Sequence, residues 1–449
     1  MKKIRQIKQH LSGKAVLLGG LLAFTILGNQ TAFAHDLRGE ASGFSPKSTD
    51  NVTHVVGHVT DVIPSFVHDV THVTNDFIPK SNRKSTRGFT PKSTREFVSI
   101  NHDFTPKFRH GFTPEFVPTL HINRSSVADC YRLIISDLST AATYMGSLNF
   151  AKTAVANRRK ATSWAAKALL AKVYLTLNLK ADAVTQLQDV ITNSGHSLQA
   201  TYANVFAITN EMNSEILFAV RFKAGGLGLG TSFGNDFAAL NSGSAIINGS
   251  GRGFNYPTPE FDSAYIATDT RKAATIATFG TGAATQSYVK KLLNPVVLTD
   301  DGEADFPILR YADVLLMLAE AQGFSPVSIT LINQVRTRTA LGNLPATVNT
   351  VELFEQALSN ERRFEFAFEH QRWFDLLRFN TTLTTIKAED VLKSHFSKDY
   401  AKHYGIYPAP RLTLLELQNN VTPNKLLLPI PQREIDTNTG LKIEQNPGY

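Results

Sequence analysis

The chain has 449 residues, enough for two or three domains and a sizeable core. Its formal net charge of +8 sits at the front: residues 1–126 carry 16 Lys/Arg against 9 Asp/Glu, and residues 127–449 carry 30 against 29. A nucleic-acid binder should carry its basic excess on a folded face, so nucleic acid is excluded as a partner. The single cysteine, Cys130, excludes an intramolecular disulfide.

In chain order, Lys2, Lys3, Arg5, Lys8 and Lys14 precede an apolar run from Ala15 to Gly28, and Ala32-Phe33-Ala34 fits a small-x-small cleavage pattern. That run falls short of the ~20 residues a spanning helix needs, so residues 1–34 read as an export signal. Residues 35–125 read as a low-complexity, largely disordered segment. Near-repeats recur at Gly43–Thr49, Gly88–Thr94, Asp103–Phe108 and Gly111–Phe116, and their prolines interrupt both helix and strand. Eight of the 13 histidines lie between His35 and His121 without metal-ligand spacing. No metal site is assigned, and no cofactor is implied.

From residue 126 the pattern becomes helical. Val127, Tyr131, Ile134, Leu138, Ala141 and Met145 predict an amphipathic helix capped by Ser125 or Ser126, with Cys130 on it as a small buried hydrophobe. A second helix is predicted over 161–177, its Ala165, Ala168 and Ala171 permitting close approach. A third follows Asn178-Leu179-Lys180 with Val184, Leu187 and Ile191, closing near Gly195. Such pairs fit tetratricopeptide-type repeats. These elements make residues 126–200 a first helix group.

Residues 201–308 read as a loop-rich candidate ligand face, with a short helix over Tyr202–Phe206, a strand over Glu215–Phe222, and a surface loop from Gly225 to Gly253. Gly226-Leu227-Gly228-Leu229-Gly230 lacks the Lys-Ser/Thr of a phosphate loop. Sugar capture uses aromatic faces together with amides and arginines. The best local match runs from Arg252 to Tyr265 and contains Phe261. Within it Arg252, Phe254, Asn255, Tyr256 and Tyr265 are the candidate ligand-binding residues.

A second helical pair is predicted from Arg310, with Tyr311, Val314, Leu318 and Ala321 on one stripe. Ser325-Pro326 caps the next helix, which carries Ile329, Ile332 and Val335. Glu361–Phe379 reads as one helix, apolar over a wide arc that includes Phe374, and wedged between neighbours. Its Glu369, Arg372, Asp375 and Arg378 would pair along the surface at i,i+3, for ~0.2–0.5 kcal/mol each. Glu365 and Glu369 share that helix, whereas glycosidase carboxylates flank a cleft from separate elements. No HExxH or paired CxxC occurs, and no catalytic residue is assigned. In the tail, Pro429 and Pro431 forbid a continuous helix, leaving one turn over Glu434–Thr437.

Two stretches, Glu361–Phe379 (ERRFEFAFEHQRWFDLLRF) and Leu426–Tyr449 (LLLPIPQREIDTNTGLKIEQNPGY), resemble the C-terminal signature of the SusD/RagB family. Leu309–Ala321 and Ile332–Leu341 resemble its helical-repeat phrases. The resemblance covers residues 126–449 and is strongest over 309–449, the helical pair plus the C-terminal signature. It implies a mainly α, SusD-like fold with tetratricopeptide-like helical pairs, long irregular loops and a tail folded back over the helices. It implies a non-catalytic role at the outer membrane, capturing oligosaccharide for a SusC-like TonB-dependent transporter. The family's first helical pair has no counterpart here, and His35, not a lipid-bearing cysteine, follows Ala34. The expected location is therefore the outer membrane, or the periplasm without an anchor. The alternatives are a truncated or defective paralogue and a periplasmic helical-repeat scaffold for another protein.

Overall fold

The computed structural model describes residues 124–154, 158, 160–438 and 440–449; the predicted export signal and the repeat-rich, histidine-bearing segment lie outside the described residues. Ser126 Oγ accepts from the Asp129 amide (3.0 Å) and opens α1, Val127–Tyr144. Thr162 caps α2 (Ser163–Thr176) in the same way, and Asn178, at φ +58°, turns the chain into α3 (Lys180–Asn193). Ala168 and Ala171 are fully buried, so α2 lies close against both α1 and α3.

A looser stretch follows: α4 (Tyr202–Val205), β1 (Ile216–Val220), α5 (Phe233–Phe237), α6 (Pro259–Ala264) and α7 (Arg271–Thr275). The hairpin of β2 (Ile276–Phe279) and β3 (Gln286–Val289) pairs Ile276 with Val289. Strand β4 (Phe306–Arg310) pairs antiparallel with β1, Ile216 opposite Arg310 and Val220 opposite Phe306, and runs directly into α8 (Tyr311–Gln322). Pro307, which has no amide hydrogen, is tolerated because this sheet has only two strands. The chain ends with α9 (Pro326–Thr337), α10 (Val351–Glu365), α11 (Arg372–Thr382), α12 (Ala388–Asp399), α13 (Leu414–Asn420) and α14 (Gln432–Thr437). The fold is mainly α, as expected.

Helix α8 is the hub: every residue from Ala312 to Ala321 is buried, against α2, α3, α9 and α10. An apolar helix needs neighbours on all sides, and here Leu315, Leu316 and Met317 meet Leu175, Leu187, Phe354 and Phe379 in one core cluster. Ser325 and Pro326 open α9 as predicted, with Ser325 Oγ accepting from the Ser328 amide. In the tail, Gln445 bonds both the amide and the carbonyl of Ile430, and Asn446 Nδ2 donates to the Leu428 carbonyl (2.7 Å). Among the described residues no helix is long and apolar enough to cross a membrane.

Four expectations are corrected. The stretch Glu361–Phe379 is two helices: the chain leaves α10 at Phe366, Phe368 and His370 take φ +61° and +57°, and α11 begins at Arg372. Each left-handed residue costs about 1–3 kcal/mol, offset by turning Glu369 inward to Arg310 and Lys291. Of the expected i,i+3 pairs, Asp375–Arg378 forms, but buried rather than on the surface, while Glu369 turns to Arg310 and Lys291 and Arg372 donates to Ser359; Phe374 is 42% exposed. Cys130 is exposed, because α2 is the described helix packed along α1 and Leu138 is the residue α1 buries. Finally, Gly225–Gly253 is more than a surface loop: it holds α5 and buries Phe237, Ala238, Ala239 and Ile247. Gly251 permits that packing, since a Cβ there would lie 2.2 Å from the Ala239 carbonyl oxygen.

Candidate functional site

Two side-chain assemblies stand out, one buried and one exposed. The buried one centres on Arg310, whose Nη1 donates to Glu215 (2.6 Å) and Glu365 (2.9 Å) while Nε and Nη2 grip Glu369 (2.7 and 2.8 Å). Arg338 pairs with Glu215 and Glu365, Lys291 with Glu369, Arg336 with Glu361, and Arg271 with Asp269, Glu361 and Glu365. Five cations thus face five carboxylates. Burial alone would raise the Glu365 carboxyl, but Arg338, Arg310 and Arg271 hold it down at about 2. Burial brings the Lys291 ammonium down to about 8 against the pull of Glu369.

A second balanced group joins Lys172, Arg362 and Arg378 to Asp313, Glu320 and Asp375. Burial of a charge is tolerable only with a partner, and each carboxylate here has a cation. These groups brace α8, α10 and α11 against each other. Glu365 and Glu369 belong to this brace.

The exposed assembly is built where α6 meets α12. Thr258 caps α6, with Pro259 in its first turn, and Tyr256 stands just ahead of it. Asp399 closes α12, fully buried. Its Oδ1 accepts from the Glu260 amide (2.9 Å), and its carbonyl accepts from Lys402 N (3.1 Å) and His403 N (2.8 Å). One residue thereby ties the first turn of α6 to the loop after α12. His395 extends the tie, with Nδ1 3.3 Å from Asp399 Oδ2 and Nε2 2.8 Å from the Tyr404 hydroxyl.

On this support three rings converge. Tyr256 lies edge-to-face with His403 (5.7 Å, 71°), His403 with Tyr407 (5.9 Å, 79°), and the two tyrosine hydroxyls are 3.4 Å apart. Tyr256 is 45% and Tyr407 39% exposed. Arg411 Nη1 donates to the Tyr407 carbonyl (2.7 Å). Exposed ring faces beside hydroxyls and a guanidinium can stack on a sugar ring and bond its hydroxyls.

Of the residues singled out from sequence, Tyr256 belongs to this cluster. Phe254 and Asn255 are exposed on the same loop, Asn255 at φ +52°. Arg252 directs its guanidinium at Asp300 (2.7 Å, twice) and Asp236 (2.9 Å). Tyr265 is buried against Phe364 and Phe261. Sequence reasoning passed over His403, Tyr407 and Arg411. The signal that marks them is the crowding of Tyr400, Tyr404 and Tyr407 around His403.

Other chemistry is accounted for nearby. Glu260, His395 and Asp399 place ligand atoms within 4.8 Å of one another, yet Arg363 already binds Glu260, with Lys398 Nζ 3.8 Å away. Glu260 is therefore already paired with cations of this chain. Gly230–Gly234 reads Gly-Thr-Ser-Phe-Gly, a nucleophile-elbow spacing. Ser232 Oγ, however, donates to Asp236 (2.5 Å), itself paired with Arg252. A separate groove of about 630 Å³, lined by Lys387, Asp390, Lys393 and Pro423 among others, holds no aromatic side chain.

Residues 270–449 match the model of the SusD family. A SusD-like protein of Formosa agariphila is 25% identical over 366 residues, covering 70% of this chain and 64% of that protein. One from Bacteroides ovatus is 25% identical over 383 residues, covering 72% and 66%. The chain thus spans just under two thirds of the length of these relatives. Surface glycan-binding protein A from Bacteroides uniformis shares the fold at a TM-score of 0.57, with 20% identity over 72% of this chain and 70% of that one. A laminarin binding SusD-like protein does so at 0.56, with 24% identity and the same coverage. The Bacteroides thetaiotaomicron surface glycan-binding protein A, in complex with laminarihexaose, gives 0.52 at 20% identity over 70% of each chain.

Proposed function

We propose that this chain, whose residues 270–449 match the model of the SusD family, binds glycan without catalysis and hands it to a SusC-like TonB-dependent transporter at the outer membrane. The observation that carries the reading is the convergence of Tyr256, His403 and Tyr407 on an exposed surface. A ring stacked on the apolar face of a sugar makes a non-covalent contact, which suits reversible capture. The carboxylate on this surface, Glu260, is held by Arg363 rather than poised opposite a second acid. The names of two structural neighbours, which speak of glycan and laminarin binding, support the same reading.

The test is a panel of oligosaccharides, laminarihexaose included, titrated against the protein and its Tyr256→Ala/Tyr407→Ala variant. Binding should weaken about tenfold or more in the variant, from two lost stacking contacts, at an unchanged melting temperature. Retention of no glycan, or equal affinity in the variant, would overturn the assignment. Co-purification with a TonB-dependent barrel tests the delivery step separately.

A further inference from the structure

We infer that the Tyr256–His403–Tyr407 surface takes an anionic glycan, one bearing uronate or sulfate groups, an inference that rests on the glycan-binding reading above. It follows from which charges on this surface are already satisfied. The carboxylates of the two contributing segments are engaged: Glu260 by Arg363, Asp262 by Lys272 (2.9 Å) and the Ser287 hydroxyl (2.7 Å), and Asp399 by the Glu260 amide beside His395. Lys402 and Arg411 are exposed, and among the described residues neither makes an ion pair.

Their placement is specific. Lys402 directly precedes His403, in the turn that Asp399 holds through two backbone bonds. Arg411 is fastened through Nη1 to the carbonyl of Tyr407, and the Tyr400 hydroxyl donates to the next residue's carbonyl, Leu412 (3.1 Å). The loop from Tyr400 to Leu412 is thereby closed on itself, with the guanidinium fastened to the Tyr407 backbone. Among the described residues no carboxylate pairs with Arg411, and a planar guanidinium fork matches a carboxylate or sulfate of a ligand.

The contrast with the rest of the molecule is informative. In the two interior ionic groups cations and carboxylates are balanced, and Arg252, nearer the surface, is taken by Asp300 and Asp236. Residues 127–449 as a whole are nearly neutral, with 30 Lys/Arg against 29 Asp/Glu. Lys402 and Arg411, which make no ion pair among the described residues, flank an exposed aromatic cluster, and an anionic ligand seated on the rings would complete their pairing. The rings supply a stacking surface that fits a saccharide.

The experiment titrates the protein with hexagalacturonate, a sulfated carrageenan hexasaccharide and laminarihexaose at about 50 and 300 mM NaCl. At least one anionic oligomer should bind about tenfold or more tightly than the neutral one at low salt, and that advantage should shrink at high salt. Whichever anionic oligomer carries the advantage distinguishes uronate from sulfate. A Lys402→Gln/Arg411→Gln variant should lose the advantage at an unchanged melting temperature, and Arg411→Lys should restore part of it. If laminarihexaose binds as tightly as both anionic oligomers, or the double variant keeps the preference, this inference falls while glycan capture stands. If none of the three binds, both fall.

Discussion

Replacing Glu365 by glutamine keeps the shape of the side chain and removes one negative charge from the buried ionic group. Glu365 is fully buried and accepts from Arg310 (2.9 Å), Arg271 (3.3 Å) and Arg338. The variant leaves five cations facing four carboxylates, and uncompensating a buried pair costs about 3–5 kcal/mol. With about 2.1 cal/mol/K of unfolding entropy per residue over roughly 320 folded residues, each kcal/mol is worth ~1.5 °C, so the melting temperature should fall by ~5–7 °C. Calorimetry and urea titration measure this against Glu444→Gln, which removes a pair whose members are 87% and 76% exposed and should change stability by less than about 0.5 kcal/mol. Acid supplies an independent check. The Glu365 carboxyl lies at about 2 in the folded protein against an ordinary 4.5. A depressed carboxyl stabilises fully above its unfolded value and loses that stabilisation as pH falls toward the folded one, amounting to about 3 kcal/mol in this case. The gap between the two proteins should therefore close between pH 4.5 and 2. A Glu365→Gln penalty no larger than that of Glu444→Gln, or a gap that ignores pH, would refute the account of the ionic group.

Lys291 predicts a slope of the same sign in a second window, at alkaline pH. Its folded value of about 8 lies below the ordinary 10.5, so between these values the unfolded chain holds a proton that the folded one has released, and the stability of the wild type relative to Lys291→Met should rise by up to about 3 kcal/mol. A flat difference across that window, followed by urea titration, would contradict it. Glu355 accepts the amides of Thr384 and Thr385 (2.8 and 2.7 Å) as well as both hydroxyls. Glu355→Ala should therefore cost about 1.5–3 kcal/mol in denaturant unfolding, and a cost below about 0.5 would show the clamp to be dispensable. Cys130, exposed on α1, should react with a thiol reagent in the folded protein at the rate of a free thiol; protection until unfolding would contradict its placement.

Local chemistry made the helices legible in the sequence. Ser126, Thr162 and Ser325-Pro326 cap where their hydrogen-bonding capacity says they should, and Ala168 and Ala171 mark a close crossing because they carry no bulk. The family resemblance of the C-terminal stretches reports the same fold. What periodicity could not reveal is where the charges of Glu361–Phe379 point. A glutamate three or four residues from an arginine looks like a solvated pair on a helix surface, yet Glu369 finds Arg310 and Lys291, 59 and 78 residues away. The need to neutralise those cations inside the protein accompanies the break in the helix at Phe366–Gln371, a break the sequence pattern does not show. The aromatic cluster has the same origin: Tyr256 and Tyr407 are 151 positions apart. Asp399, buried at the end of α12, brings their loops together by bonds that span one turn on one side and 139 residues on the other. Propensity and capping act within a few residues and are written in the chain, whereas the pairing of buried charge and the meeting of distant loops are decided by which surfaces the packed helices bring into contact.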